Sequence, residues 1–274
     1  MGQSFLAHNF VAGSFLPMTS SQDRPHFFYT APPGACPYLP NRIERKILVD
    51  LATPDANFLH SRLSHAGFRR SHTLAYAPIC DGCSACIPIR LPVRNLTPHR
   101  TQKRAVRRNA DLMRSLLPPT ATDEQYTLFR RYLDSRHSDG EMAGMSMHDY
   151  RIMVEETPVD TRLVEFRTPD ATLMAASLID VLEDGLSAVY SFYEPNCPQR
   201  SLGSFAILSL AELAMQMELP YLYLGYWVPG SPKMAYKERF QPAEILRNGT
   251  WQKLDLNYPP KTERAHPFPE GPLF

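Results

Sequence analysis

The succession of elements between Leu163 and Lys237 limits the folds open to this 274-residue chain more than any other feature. Leu163–Arg167 and Leu173–Val181 are rich in β-favouring residues and read as strands. Glu183, Asp184 and Gly185 form a hairpin turn. Leu186–Tyr193 returns as a strand with Val189, Ser191 and Tyr193 on one face and Tyr190 and Phe192 on the other. The loop at Pro195–Pro198 and the run RSLGS at Arg200–Ser204 then lead into Phe205–Glu218. That stretch is apolar all round, so it is expected to be a helix buried on two sides. Pro220 closes it, and Tyr221–Leu224 is another strand.

The segment from Tyr221 to Phe240, YLYLGYWVPGSPKMAYKERF, concentrates the chemistry. Gly225 is expected to end the strand where backbone approaches a ligand closely. Tyr226 and Trp227 follow, two large rings with polar handles. Pro229–Pro232 makes a turn. Lys233, Tyr236 and Lys237 are spaced i, i+3, i+4, which places two ammonium groups and a phenol on one face of a short helix. Such a corner suits an anionic ligand that carries a base. The alternative is a strand–turn–helix corner with solvated lysines.

Ahead of this region, Phe27–Thr30, Glu44–Leu51 and Phe68–Tyr76 read as strands and Asp55–His65 as a helix stopped by Gly67. Thr97 and Pro98 read as an N-cap and first helical residue. In the helix they open, Arg100, Lys103, Arg104, Arg107 and Arg108 fall on one face, at a spacing that a core helix reserves for apolar residues. No Asp or Glu lies between Asp81 and Asp111. Such a stripe is either a solvated face or a surface for RNA phosphates, and the missing acids favour the second. Leu116–Pro119 marks a boundary. Thr122 and Gln125 form a capping box for a helix whose apolar face is Tyr126, Phe129 and Leu133, and His148–Glu156 reads as a second helix.

Five cysteines are an odd number, and Cys80, Cys83 and Cys86 are crowded on one loop with Cys36 as a fourth candidate. Four thiolates suit tetrahedral zinc or an iron–sulfur cluster. The alternative is a set of reduced structural thiols, and either reading fits a reducing compartment. Net charge is +1 and no run approaches a membrane span. The N-terminus lacks a basic region before its apolar residues, so a cytoplasmic protein is expected.

Several motifs, in one order, resemble a known family. CPYLPNR at Cys36–Arg42, CDGCSACIPIRLPV at Cys80–Val93, RRN at Arg107–Asn109, SAVYSFYEP at Ser187–Pro195, RSLGSFAIL at Arg200–Leu208 and LGYWVPGSPKMAYKERF at Leu224–Phe240 resemble the aminoacyl-tRNA–protein transferases. The nearest branch is the bacterial aspartate/glutamate leucyltransferases, relatives of the eukaryotic arginyl-transferases. The hairpin, Gly-bearing loop, buried helix and strand also match the core order of the acyl-CoA N-acyltransferase (GNAT) fold. The loop departs from that fold's pattern at Phe205, where a small residue belongs. That departure leaves coenzyme A pyrophosphate binding in doubt but keeps a helix N-terminus for another anion.

The resemblance implies an α+β fold, with a GNAT-like C-terminal domain and a smaller cysteine-bearing N-terminal α+β domain. The expected divisions are 1–24 without order, 25–98 as the N-terminal domain, 99–118 as basic helix and linker, 119–255 as the transfer domain and 256–274 as a Pro-rich tail. It implies transfer of leucine from leucyl-tRNA to the amino group of proteins beginning with Asp or Glu, which tags them for degradation. No cofactor is required for that chemistry, no membrane is involved and a monomer is expected. Site roles follow from the reaction. Tyr190, Tyr193 and Tyr226 would stack on or hydrogen-bond with the terminal adenosine. Arg200, Ser201 and Gly203 would hold a terminal phosphate or the acceptor backbone. Lys233 and Lys237, with Tyr236 beside them, would meet the acidic side chain or tRNA phosphates. Asp180 would orient the amine or act as base. The alternatives are an arginyl-tRNA donor, an acetyl-CoA N-acetyltransferase, or a non-catalytic metal-stapled RNA-binding module.

Overall fold

The computed structural model describes residues 25–136 and 140–256. The expected disorder of residues 1–24 and most of the expected tail at 256–274 lie outside the described residues. Along the chain the strands are β1 (Phe28–Thr30), β2 (Gly34–Ala35), β3 (Ile43–Glu44), β4 (Lys46–Asp50), β5 (Arg69–Ser71), β6 (Leu74–Pro78), β7 (Ile87–Pro92), β8 (Met113–Leu117), β9 (Thr161–Arg167), β10 (Leu173–Val181), β11 (Gly185–Tyr193), β12 (Tyr221–Trp227), β13 (Glu244–Arg247) and β14 (Thr250–Lys253). The helices are α1 (Ala56–His65), α2 (Arg100–Arg108), α3 (Asp123–Arg136), α4 (Met147–Glu155) and α5 (Leu202–Gln216).

A four-stranded sheet in the order β1-β4-β6-β5 forms the first layer. Leu59 and Leu63, four residues apart on α1, pack with Val49, Ala75 and Ala77 of its inner face. The expected single strand at Phe68–Tyr76 is instead the hairpin β5–β6, because His72 takes a left-handed turn conformation at φ 55°. Two consecutive arginines on β5 therefore point to opposite faces.

The larger sheet has eight strands in the order β14-β13-β7-β12-β11-β10-β9-β8. Helix α5 covers one face with Phe205, Ala206, Leu210, Leu213 and Ala214, and α3 and α4 cover the other with Leu128, Phe129, Leu133, Tyr150 and Val154. The buried strand β10 reads as a continuous apolar run because both its faces are covered. The capping box at α3 is formed, with Gln125 N–H donating to Thr122 Oγ1 and Thr122 N–H to Gln125 Oε1.

Sheet membership differs from the expected division at two places. Ile87–Pro92, which the expected division assigns to the N-terminal domain, is a strand inside the large sheet, antiparallel to β12 and β13. Met113–Leu117, at the expected boundary, pairs with β9 as an edge strand. Helix α2 begins at Arg100 behind His99 as N-cap, two residues beyond the expected cap at Thr97. Gly225 does not end β12. It sits inside the strand at φ 72°, at an irregularity where three steps from Tyr223 to Tyr226 face two from Arg90 to Pro88. The extra residue is a bulge that only a left-handed position accommodates easily.

Parallel pairing of β11 with β12 runs from Gly185–Tyr221 to Ser187–Tyr223. Past that point the register ends and the two strands open a wedge. This wedge organises the site.

Candidate active site

Arg69 of β5 enters the wedge from the first sheet. Its Nη2 donates to the carbonyls of Ala188 (3.3 Å) and Val189 (3.1 Å), backbone acceptors that β12 leaves to it. The bulge at Gly225 makes the space, since a Cβ there would stand 2.0 Å from Arg69 Nη1 and 2.3 Å from Cζ. The phenols of Tyr76, Tyr38, Tyr226 and Tyr236 lie close enough to interact with its charge. Lys237 completes this group. The residue is 3% exposed, and its Nζ donates to the Tyr226 carbonyl at 2.5 Å. Burial first, then the Arg69 charge, hold its pKa well below the usual lysine range, with Cys86 acting in the opposite direction.

The expected lysine pair is not formed. The segment Ala235–Arg239 is a 3-10 turn that begins after Lys233, so Lys233 is exposed while Lys237 is buried. Tyr236 is 41% exposed at the wedge rim. Tyr226 departs from its expected role as a base-stacking ring. It is 1% exposed, and its hydroxyl donates to the carbonyls of Gly67 (3.0 Å) and Tyr76 (3.1 Å), joining the two sheets.

Asp180 is likewise a structural link and not a base. It is fully buried, and both its oxygens are taken. Arg70 Nε donates to Oδ2 and Nη2 to Oδ1, each at 2.7 Å, Thr161 Oγ1 donates at 2.8 Å, and His60 Nε2 lies 2.9 Å from Oδ2. Burial alone would raise this carboxyl, but the hydrogen bonds from His60 and Arg70 and the Arg70 charge outweigh it and hold it at about 2. The network ties α1 and β5 of the first sheet to β9 and β10 of the second.

Tyr190 and Tyr193 stay near the opening, both half-buried. Tyr190 packs edge-on against Phe129, and burial pushes its phenol up to about 12. Tyr193 contacts Tyr132 at 4.8 Å between centroids. Gly203 lets this approach close up, since a Cβ would come 3.0 Å from the Tyr193 ring. The first turn of α5 therefore rests on Tyr193. No side chain caps that turn among the described residues, and Ser201 is exposed at φ 53°. Phe205 turns inward, 5.3 Å from Phe166 between ring centroids.

Helix α2 leads to the same turn. Arg100, Lys103, Arg104, Arg107 and Arg108 are all exposed, while Gln102, Ala105 and Asn109 are buried. Among the described residues none of the five cations forms an ion pair with a carboxylate. Arg108 Nη1 donates to the Gln199 carbonyl at 2.5 Å, and Asn109 Nδ2 donates to the Arg200 carbonyl at 2.7 Å. Arg200 itself pairs with Asp111 at 2.6 Å. The end of the cationic stripe is thus bonded to the loop that opens α5.

On the other side of the wedge, Cys83 and Cys86 pack with Tyr38, Tyr76 and Met234 around Tyr226. The sulfurs of Cys36 and Cys80 each accept a backbone N–H at 3.4 Å, from Leu39 and Arg45. Burial pushes the Cys86 thiol up to about 12, and the neighbouring Cys36, Cys80 and Cys83 add to that. As placed, no three His, Cys, Asp or Glu side chains among the described residues are arranged to hold a metal ion. Cys197 is a separate, half-buried free thiol.

Sequence reasoning missed Arg69, Arg70 and Tyr38. The available signal was a pair of arginines in a strand with no acid beside them, FRRSH at Phe68–His72.

Comparison with known proteins accounts for most of the chain. Residues 34–104 match the model described as "Arginine-tRNA-protein transferase, N terminus", and residues 124–247 match "Arginine-tRNA-protein transferase, C terminus". An aspartate/glutamate leucyltransferase of Gluconacetobacter diazotrophicus is 56% identical over 242 residues, covering 88% of this chain and 93% of its own. Proteins of the same name from Granulibacter bethesdensis (56% identical, 84% of this chain, 86% of its own) and Gluconobacter oxydans (55%, 85% and 97%) are similar to it at the same level.

Proposed function

The chain belongs to the arginine-tRNA–protein transferase family, on its aspartate/glutamate leucyltransferase branch, and we propose that it moves the leucyl group of leucyl-tRNA onto the α-amino group of proteins beginning with Asp or Glu. The observation that carries the donor half of this reading is the unpaired cationic stripe of α2, bonded at its C-terminal end to the opening of α5. Five exposed cations on one face repel one another, and a phosphate backbone relieves that repulsion. The acceptor stem would lie along Arg100, Lys103, Arg104, Arg107 and Arg108. The terminal nucleotide would then reach the free N–H groups of α5 at Leu202 and Gly203, with Ser201, Tyr190 and Tyr193 around it. Arg200, paired with Asp111, shapes that loop.

The chemistry is aminolysis of an activated ester. The acceptor amine attacks the leucyl carbonyl carbon, the C–N bond forms, and the tetrahedral oxyanion collapses as the C–O bond to the ribose 3′-oxygen breaks. The amine loses a proton and the 3′-oxygen gains one. An α-amino group titrates at about 7.7–8.0, so a useful fraction is neutral near neutral pH. The chain's task is to position two substrates and shield them from water. The separation of β11 from β12 and the α5 N-terminus beside it support a GNAT-like arrangement of the C-terminal half without a covalent enzyme intermediate.

No helix among the described residues is long and apolar enough to cross a membrane. A cytoplasmic monomer agrees with the tRNA donor. Cys36, Cys80, Cys83 and Cys86 are the residues that would hold a zinc ion or iron–sulfur cluster. The four thiols lie near enough to interact electrostatically but, as placed, do not converge on one point, so such a group would have to draw them together, stapling the two loops structurally. No step of the transfer is assigned to it.

Reversing Arg104 and Arg107 to Glu tests the donor half. The double variant is expected to raise the KM for leucyl-tRNA and to flatten the log–log salt dependence by about 0.7–0.9 per lost contact. An unchanged slope would remove α2 from the tRNA interface.

A further inference from the structure

A guanidinium and a buried lysine, Arg69 and Lys237, meet in the wedge without an acid. The buried arginines Arg70 and Arg90 follow the usual rule that a buried charge is paired. Arg70 holds Asp180 at 2.7 Å, and Arg90 holds Glu244 at 2.9 Å while lying between the Tyr221 and Trp251 rings. Arg69 and Lys237 bind only backbone carbonyls, those of Ala188, Val189 and Tyr226. The polar side chains around the Arg69 guanidinium are the phenols of Tyr76, Tyr38, Tyr226 and Tyr236. Among the described residues neither side chain forms an ion pair with Asp or Glu. An incoming anion would give the Arg69 charge the partner it lacks.

The position identifies the anion. The tRNA phosphates are provided for on α2 and at the start of α5, on the far side of Tyr193. Arg69 instead sits between β11 and β12, with Nη1 and Nε turned to Gly225 and free of protein acceptors among the described residues. Nη1 and Nε keep donors that no protein acceptor takes among the described residues, and a charge-assisted hydrogen bond from either suits a carboxylate. We propose that Arg69, supported by Lys237, binds the side-chain carboxylate of the acceptor's first residue and so selects Asp and Glu. This rests on the transferase reading above. It divides the labour between the layers: the α2–α5 side takes the donor, and the first sheet, through β5, selects the acceptor. Gly225 is then a specificity residue by proxy, because any side chain there expels the guanidinium.

The test uses the full chain with Arg69→Gln, Arg69→Lys and Gly225→Ala, saturating leucyl-tRNA, and peptides that differ only in beginning with Asp or Asn. Binding of each peptide without tRNA is measured alongside transfer. The wild type is expected to favour the Asp peptide over its neutral isostere by about a hundredfold or more, as sites built around a polar group do. Arg69→Gln and Gly225→Ala should both collapse that ratio towards about one while the Kd for leucyl-tRNA moves by less than about twofold. Arg69→Lys should restore part of it, since charge survives without the planar guanidinium. Retained Asp preference in a folded Arg69→Gln variant overturns the proposal. So does weakened leucyl-tRNA binding with normal discrimination, which would assign Arg69 to a phosphate. If Arg69→Gln does not fold, Gly225→Ala and Arg69→Lys carry the same comparison. A wild type that binds the Asp peptide selectively but transfers nothing supports the carboxylate site and overturns the transferase reading instead.

Discussion

Replacing Asp180 by Ala should unfold the protein more readily and should not act as loss of a catalytic base. The carboxylate accepts two 2.7 Å bonds from Arg70 and one from Thr161 at 2.8 Å, with His60 at 2.9 Å. The Arg70 side chain is 1% exposed, so the variant leaves a guanidinium buried with no counter-charge. Breaking a buried pair from one side costs about 3–5 kcal/mol. That is a large share of the roughly 5–15 kcal/mol that stabilises a typical domain. With a urea m-value of about 3 kcal/mol/M, the midpoint should fall by about 1–1.7 M. Adding Arg70→Met should recover part of the loss, because the stranded charge is gone. The assay is urea unfolding followed by fluorescence, with single-turnover leucyl transfer measured on protein still folded. A midpoint shift under about 0.3 M together with abolished transfer would refute this reasoning and return Asp180 to the role of base.

Two further outcomes follow from the titrating groups. Asp180 has its pKa lowered from 3.8 to about 2, so its contribution is fully present above pH 3.8 and is lost as pH falls through about 2. That amounts to about 2 kcal/mol in acid denaturation, and Asp180→Asn should remove this part of the pH dependence; an unchanged acid profile would contradict it. At the cysteine loops, protein purified without oxygen should carry about one zinc ion or one cluster per chain, and Cys86→Ser should lose it and lower the Tm. Metal-free wild type with full activity and the same Tm would exclude a structural metal.

Much of the large sheet was legible because its signals are local. Strand β10 is an unbroken apolar run, α5 is apolar on all sides, and Thr122 and Gln125 spell out the α3 cap within four residues. The cationic face of α2 was equally visible, since only its starting residue moved. What could not be read depends on partners far along the chain. Ile87–Pro92 carries a loop signal in Pro88 and Pro92, yet it pairs with Tyr221–Trp227. Proline within an inner strand argues against that assignment on local grounds. Asp180 was read as a residue that orients the amine or acts as base because Arg70, its partner, is 110 residues away. Helical spacing grouped Lys237 with Lys233, but the turn starts at Ala235 and buries only the second lysine. Arg69 became visible only when the hairpin at His72 turned consecutive arginines to opposite faces.

The central claim is best tested by offering labelled leucyl-tRNA and arginyl-tRNA separately to the purified chain with peptides beginning Asp, Glu, Lys or Arg. The account predicts that label passes from leucyl-tRNA to the α-amino group of the Asp and Glu peptides and not to the Lys and Arg peptides. Transfer from arginyl-tRNA in preference to leucyl-tRNA, or label on the basic peptides, would contradict it.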